Sequence, residues 1–104
     1  IGQLSKEATL FKENYFTEET LQELKKENAV GDVCSKHYDI NGKIVSTKIN
    51  STSVGVDVET LSNIPLVIGV AGGEAKVNAI LGALNGGYLD VLITGEKEAA
   101  QLLE

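Results

Sequence analysis

Lys76 and Asp32 are the side chains with the most to offer a ligand. Lys76 closes the stretch Ala71-Gly72-Gly73-Glu74-Ala75-Lys76, which follows an apolar run from Leu66 to Val70. After it, Val77, Ile80, Leu81 and Leu84 fall at i, i+3, i+4 and i+7, and Gly86-Gly87 ends the pattern. Residues 65–87 therefore read as a buried strand, a tight glycine turn and an amphipathic helix. In open parallel sheets a ligand sits outside the carboxyl end of such a strand, where a helix N-terminus presents unpaired N–H groups. A phosphate or another anion suits that place, and Lys76 adds positive charge one turn into the helix.

Spacing alone does not make this a nucleotide site. There is no Gly-x-x-x-x-Gly-Lys-Ser/Thr, and Gly69, Gly72 and Gly73 do not fall at Gly-x-Gly-x-x-Gly. The plainer reading is that Gly72 and Gly73 permit a sharp turn while Lys76 is a solvated charge. Asp32 follows Gly31 at the expected beginning of a strand. There it either accepts hydrogen bonds from ligand hydroxyls or stands exposed at a loop boundary. Strand alternation from this point puts Asp32, Cys34 and Lys36 on one face and Val33, Ser35 and His37 on the other. His37 has no partner at a catalytic or metal spacing and reads as a surface or half-buried structural histidine. Cys34 reads as a small strand residue, since nothing near it in sequence would lower its pKa.

The elements that must position these groups fit one small domain of 104 residues. Net charge is −6, and all nine basic residues are lysines. That balance does not suit direct nucleic-acid binding, and a bound phosphate would be held by lysine and backbone N–H groups without a guanidinium fork. A single cysteine gives neither a disulfide framework nor a zinc spacing, so no metal or cofactor is expected and a cytoplasmic setting follows. No apolar run reaches membrane-span length. The chain starts at Ile1 and contains no methionine, as expected of a piece of a longer protein.

Leu4, Leu10, Phe11, Tyr15 and Phe16 make residues 1–16 too apolar for a free tail, so an ordered loop is expected. Thr17 should cap a helix running to about Asn28, with Leu21 and Leu24 inward. Asn41-Gly42 between Val33–Ile40 and Lys43–Ile49 signals a two-residue type I′ hairpin. Residues 50–53 read as a polar turn, 54–56 as a short extended piece and 58–63 as one helical turn. Val91-Leu92-Ile93 reads as a second buried strand, parallel to the first, and Thr94 as the cap of a final helix. The fold class is α/β: part of a parallel sheet with flanking helices and a hairpin. Parallel sheets are covered on both faces, and this chain holds too few elements to do so.

Three segments in order carry a family resemblance. They are Gly31-Asp32-Val33-Cys34 with Tyr38-Asp39-Ile40-Asn41-Gly42, then Ile64 through Lys76, then Gly86-Gly87 with Val91-Leu92-Ile93-Thr94-Gly95-Glu96. Together with Ile1-Gly2-Gln3-Leu4 and the Tyr15-Phe16-Thr17-Glu18-Glu19 helix start, this set resembles the C-terminal part of the sugar-binding domain of SorC-type bacterial transcriptional regulators. The resemblance implies a Rossmann-like domain related to ribose-phosphate isomerase and glucosamine-phosphate deaminase. It implies that a phosphorylated sugar effector binds at the carboxyl edge of the sheet and alters oligomer state and operator affinity. Asp32 would contact sugar oxygens and Lys76 the effector, with Gly72 and Gly73 lining the turn. DNA would be reached only through a helix-turn-helix domain outside this chain, and a homo-oligomer is implied. The family usually carries Thr-Asp-Glu after the last strand, whereas this chain has Thr94-Gly95-Glu96, so Glu96 joins Cys34 as a secondary candidate.

Three readings follow: a non-enzymatic effector-binding module, a sugar-phosphate isomerase or deaminase of the related fold, and a purely structural half-domain. The sequence offers no convincing acid–base pair. The first reading is the one adopted.

Overall fold

The computed structural model describes residues 1–8, 17–52 and 54–104. Most of the apolar cluster expected to anchor the N-terminal loop, Leu10, Phe11, Tyr15 and Phe16, lies outside the described residues, as does Ser53. A short strand β1 (Gly2–Gln3) leads to α1 (Glu18–Lys26). Thr17 caps α1 as its residue type predicts, its Oγ1 accepting from the Thr20 N–H at 3.1 Å. Glu18 and Glu19 occupy the first turn and Lys25 and Lys26 the last, each at the end of the helix dipole that favours its charge. Leu21 and Leu24 are buried. The helix stops at Lys26 and not near Asn28, which adopts a left-handed φ of 62° and breaks the helical path.

The hairpin is built differently from its sequence signal. Strand β2 (Ala29–Val33) pairs antiparallel with β1 on one side and with β3 (Lys36–Asp39) on the other. The two-residue turn of left-handed residues falls at Cys34-Ser35 (φ 51° and 65°), so no strand runs continuously from Val33 to Ile40. Asn41-Gly42 also makes a turn, but of another type. Gly42 N–H donates to Asp39 O and Asp39 N–H to Lys43 O, enclosing three residues, of which only Gly42 is left-handed (φ 84°). This is a type I turn with a glycine bulge. Asp39 explains the choice, because its Oδ1 accepts from the backbone N–H groups of both Asn41 and Lys43 at 3.0 Å.

Beyond that turn only a Tyr38–Ile44 bridge continues the ladder, and the expected strand at 43–49 gives way to α2 (Lys48–Thr52). Asn50, expected in a polar turn, is buried and replaces the missing strand. Its Oδ1 accepts from His37 N–H at 2.8 Å, and its Nδ2 donates to His37 O and Val45 O at 2.9 and 2.7 Å. Residues 54–56 form no strand, and α3 (Val58–Ser62) supplies the predicted helical turn.

From here the order of elements follows the sequence pattern, although the two strands expected to be buried are largely exposed. The helix buries Ala79, Ile80, Gly82 and Ala83 in place of a stripe ending at Leu84. Strand β4 (Ile68–Val70), a 3-10 turn (Glu74–Lys76), α4 (Val77–Asn85) and β5 (Val91–Ile93) follow in order, and β4 and β5 are parallel. Helix α5 (Glu96–Leu102) ends the chain. Its N-cap is Gly95, not Thr94, whose Oγ1 is buried without a hydrogen-bond partner among the described residues.

Helix α4 packs across the antiparallel sheet, and glycine makes the approach possible. A Cβ at Gly31 would lie 2.4 Å from Ala79 Cβ, a distance no real pair tolerates. Val33, Tyr38, Leu61, Ala83 and Tyr88 form the core, with the two tyrosine rings 5.8 Å apart. Each phenol is anchored, Tyr38 donating to Ala79 O at 2.6 Å and Tyr88 to Gly42 O. Among the described residues the parallel pair is covered on one side only. Gly69 faces inward against Leu89, while Ile68, Val70, Val91 and Ile93 point outward and are exposed. The mixed α/β composition is as the sequence predicts, and so is an apolar sheet face that the described residues do not cover.

Candidate functional site

The β2–β3 turn, β1 and the 3-10 turn meet around a cavity of about 270 Å³. Among the described residues its lining includes Gly2, Gln3, Asp32, Ser35 and Lys76. The volume falls just below the range usual for small-molecule sites, about 300–1,000 Å³. The two residues singled out from sequence therefore share one hollow although 44 positions separate their numbers (76 − 32).

Asp32 reaches this place by a route the alternation pattern did not anticipate. It stands near the end of β2, not at the beginning of a strand, and pairs with Gly2 on one side and His37 on the other. Its residue is 9% exposed, and a Cβ at Gly2 would lie 2.4 Å from its Oδ1. Glycine at position 2 leaves room for the carboxylate. His37, expected at or near the surface, is only 2% exposed. Burial holds its imidazole below the ordinary value, while the Asp32 charge and the Asn50 hydrogen bond pull in the opposite direction. Tyr38 is pushed well above a normal phenol, by burial first and then by the Asp32 and Tyr88 charges. Tyr88 is raised by burial and by Asp39.

Lys76 is half-buried at the end of the 3-10 turn and caps α4. Its backbone N–H donates to Gly73 O at 2.9 Å. Among the described residues its ammonium is in no ion pair, so it can meet an incoming anion. The same hollow thus offers a hydrogen-bond acceptor and a cation, which suits a ligand carrying both hydroxyls and negative charge.

The remaining sequence candidates are not brought into this cavity. Gly72 and Gly73 form the predicted turn, with Gly73 at φ 106°, and side chains built there would meet open space. The Gly73 N–H, expected to face a ligand, donates instead to Glu98 Oε1 at 2.6 Å. Cys34 is exposed in the turn beside Ser35 and is not a strand residue. Glu96 is exposed at the first turn of α5. Sequence reasoning missed Ser35 and Glu98. Ser35 was hidden by the unrecognised turn, and Glu98 looked like one more charge on an amphipathic helix. Among the described residues no helix is long and apolar enough to cross a membrane.

Residues 1–104 match the Sugar-bind family model, described as "Putative sugar-binding domain". The chain is 44% identical over 103 residues to the deoxyribonucleoside regulator of Bacillus subtilis (strain 168), covering 99% of this chain and 33% of that protein. A DeoR family transcriptional regulator from Listeria monocytogenes superposes with a TM-score of 0.86 at 34% identity, over 90% of this chain and 38% of that one. The full-length sorbitol operon regulator SorC from Klebsiella pneumoniae gives 0.80 at 37% identity, over 84% and 28%. The chain spans about a third of the length of the curated relatives it matches. These relatives carry the names of transcriptional regulators, in agreement with a non-enzymatic module. The chain belongs to the family of sugar-binding domains found in SorC- and DeoR-type transcriptional regulators.

Proposed function

We propose that this chain is part of the effector-sensing module of a bacterial transcriptional regulator, and that its effector is a phosphorylated sugar. The observation that carries the reading is the hollow shared by Asp32 and Lys76. A carboxylate accepts hydrogen bonds from sugar hydroxyls, and an ammonium offsets anionic charge. Gly72 and Gly73 contribute by shaping the turn that delivers Lys76. With nine lysines, no arginine and a net charge of −6, the chain itself does not suit DNA. Operator binding is accordingly assigned to a separate helix-turn-helix domain, and the protein to a cytoplasmic homo-oligomer whose state the effector alters. The β4–β5 pair is read as part of a larger Rossmann-like sheet of the isomerase and deaminase type, completed by other segments of the longer protein. Its bare outer face supports that reading, because parallel strands are normally covered on both sides.

The test is isothermal titration of the full-length protein with phosphorylated deoxyribose, sorbitol and glucose, the first two suggested by the relatives' names. Saturable binding by wild type that is lost in an Asp32→Asn, Lys76→Ala double variant is the expected result. Equal affinity of the two proteins would reject the site, and no binding of any of the three sugars would reject the ligand class.

A further inference from the structure

Glu98 is a carboxylate only 8% exposed, and α5 delivers it to the glycine turn 25 residues earlier in the chain. Its Oε1 accepts from the Gly73 N–H at 2.6 Å, a short charge-assisted contact. The carbonyl of the same glycine accepts from the Lys76 N–H at 2.9 Å. Gly73 is thus gripped on both sides, and its φ of 106° is a conformation that side-chain-bearing residues rarely adopt. On the far side of the carboxylate, a Cβ at Gly95 would lie 2.3 Å from Glu98 Oε2. Glycine at position 95 leaves room for this side chain.

We infer that Glu98 is a positioning residue of the effector site: it fixes the Gly73 peptide, and through it the backbone from which Lys76 reaches the cavity. The carboxylate also satisfies the donor that a ligand anion would otherwise take, so charge on the effector is read by the Lys76 ammonium and not by the turn. Gly95 and Glu98 act as a matched pair, since any side chain at position 95 displaces the carboxylate. The inference rests on the effector-binding reading above.

The experiment is a double-mutant cycle in the full-length protein, titrated with the same three phosphorylated sugars. Glu98→Ala should weaken binding by about tenfold or more, the scale of one lost hydrogen bond to a charged group. Glu98→Gln, which keeps an acceptor oxygen, should restore most of the affinity. In a Lys76→Ala background Glu98→Ala should cost little more, because its effect passes through Lys76. Should Glu98→Ala fail to fold, Gly95→Ala takes its place in the cycle, with weakened binding expected from the displaced carboxylate. Unchanged affinity in these variants, or losses that simply add in the Lys76→Ala background, would overturn the positioning role while leaving the effector reading intact. Absence of sugar binding by wild type would remove the effector reading, and this inference with it.

Discussion

Asp32 and His37 stand directly opposite each other in the β2–β3 ladder, both almost entirely withdrawn from water. Burial favours the neutral imidazole, and the carboxylate across the ladder only partly offsets that preference. The folded state therefore takes up a proton on His37 at lower pH than the unfolded chain does, near the ordinary value of about 6.5.

A pH dependence of stability follows. Above about pH 6.5 the histidine is neutral in both states and costs nothing. As pH falls below that value the unfolded chain binds the proton first, so stability declines until the folded pKa is reached. Thermal melts between pH 8 and pH 5 should show a falling Tm, and His37→Gln should flatten that slope. An unchanged slope in the variant would show that other groups control it.

Asn50 should be one of the most sensitive polar residues in the chain. Its side chain makes three hydrogen bonds to buried backbone groups of His37 and Val45. Asn50→Ala leaves those groups unpaired and should cost roughly 2–4 kcal/mol. Asn50→Asp should also destabilise, because a carboxylate cannot donate to the two carbonyls. Urea unfolding at constant m-value measures both.

The contact between Gly31 and Ala79 should behave as a coupled pair. Gly31→Ala drives a methyl group into Ala79 and should cost about 1–3 kcal/mol. Adding Ala79→Gly should recover part of that loss despite its own helix penalty of about 1 kcal/mol. A coupling energy near zero in the cycle would mean that the helix simply moves away.

Lys76 should give effector binding its dependence on salt. Lys76→Gln is expected to reduce affinity about tenfold or more, and to flatten the decline in affinity between 50 and 300 mM salt, about the range over which the Debye length shortens from near 14 Å to 6 Å. Titration calorimetry at several salt concentrations provides the check.

The second half of the chain was far more legible from sequence than the first. Between Leu66 and Ile93 the apolar runs, the glycine turn and the helical period give the order of elements that the structure shows, but not their burial. Helix α4 buries Ala79, Ile80, Gly82 and Ala83 while Leu84 is exposed, and the strands expected to be buried leave Ile68, Val70, Val91 and Ile93 exposed. Around residues 30–50 the local cues misled. Cys34 and Ser35 are not residues that ask for left-handed turns, while Asn41-Gly42 advertised a turn that Asp39 rebuilt as another type. Asn50 looked like a surface turn residue, and only the fold shows it standing in for a strand. Lys76 and Asp32 were readable as candidates because each sits beside a glycine signal. The burial of Glu98 was not, since it depends on two glycines that meet only in the folded chain.

The outward row of Ile68, Val70, Val91 and Ile93 also bears on how the 104-residue polypeptide behaves when handled alone. Among the described residues β4 and β5 pair only with each other, so a greasy seam and two open backbone margins would meet solvent together. Such margins template self-association, and added salt strengthens that tendency. A mild detergent, or a lysine in place of Val70, is the remedy that the chemistry of the seam recommends.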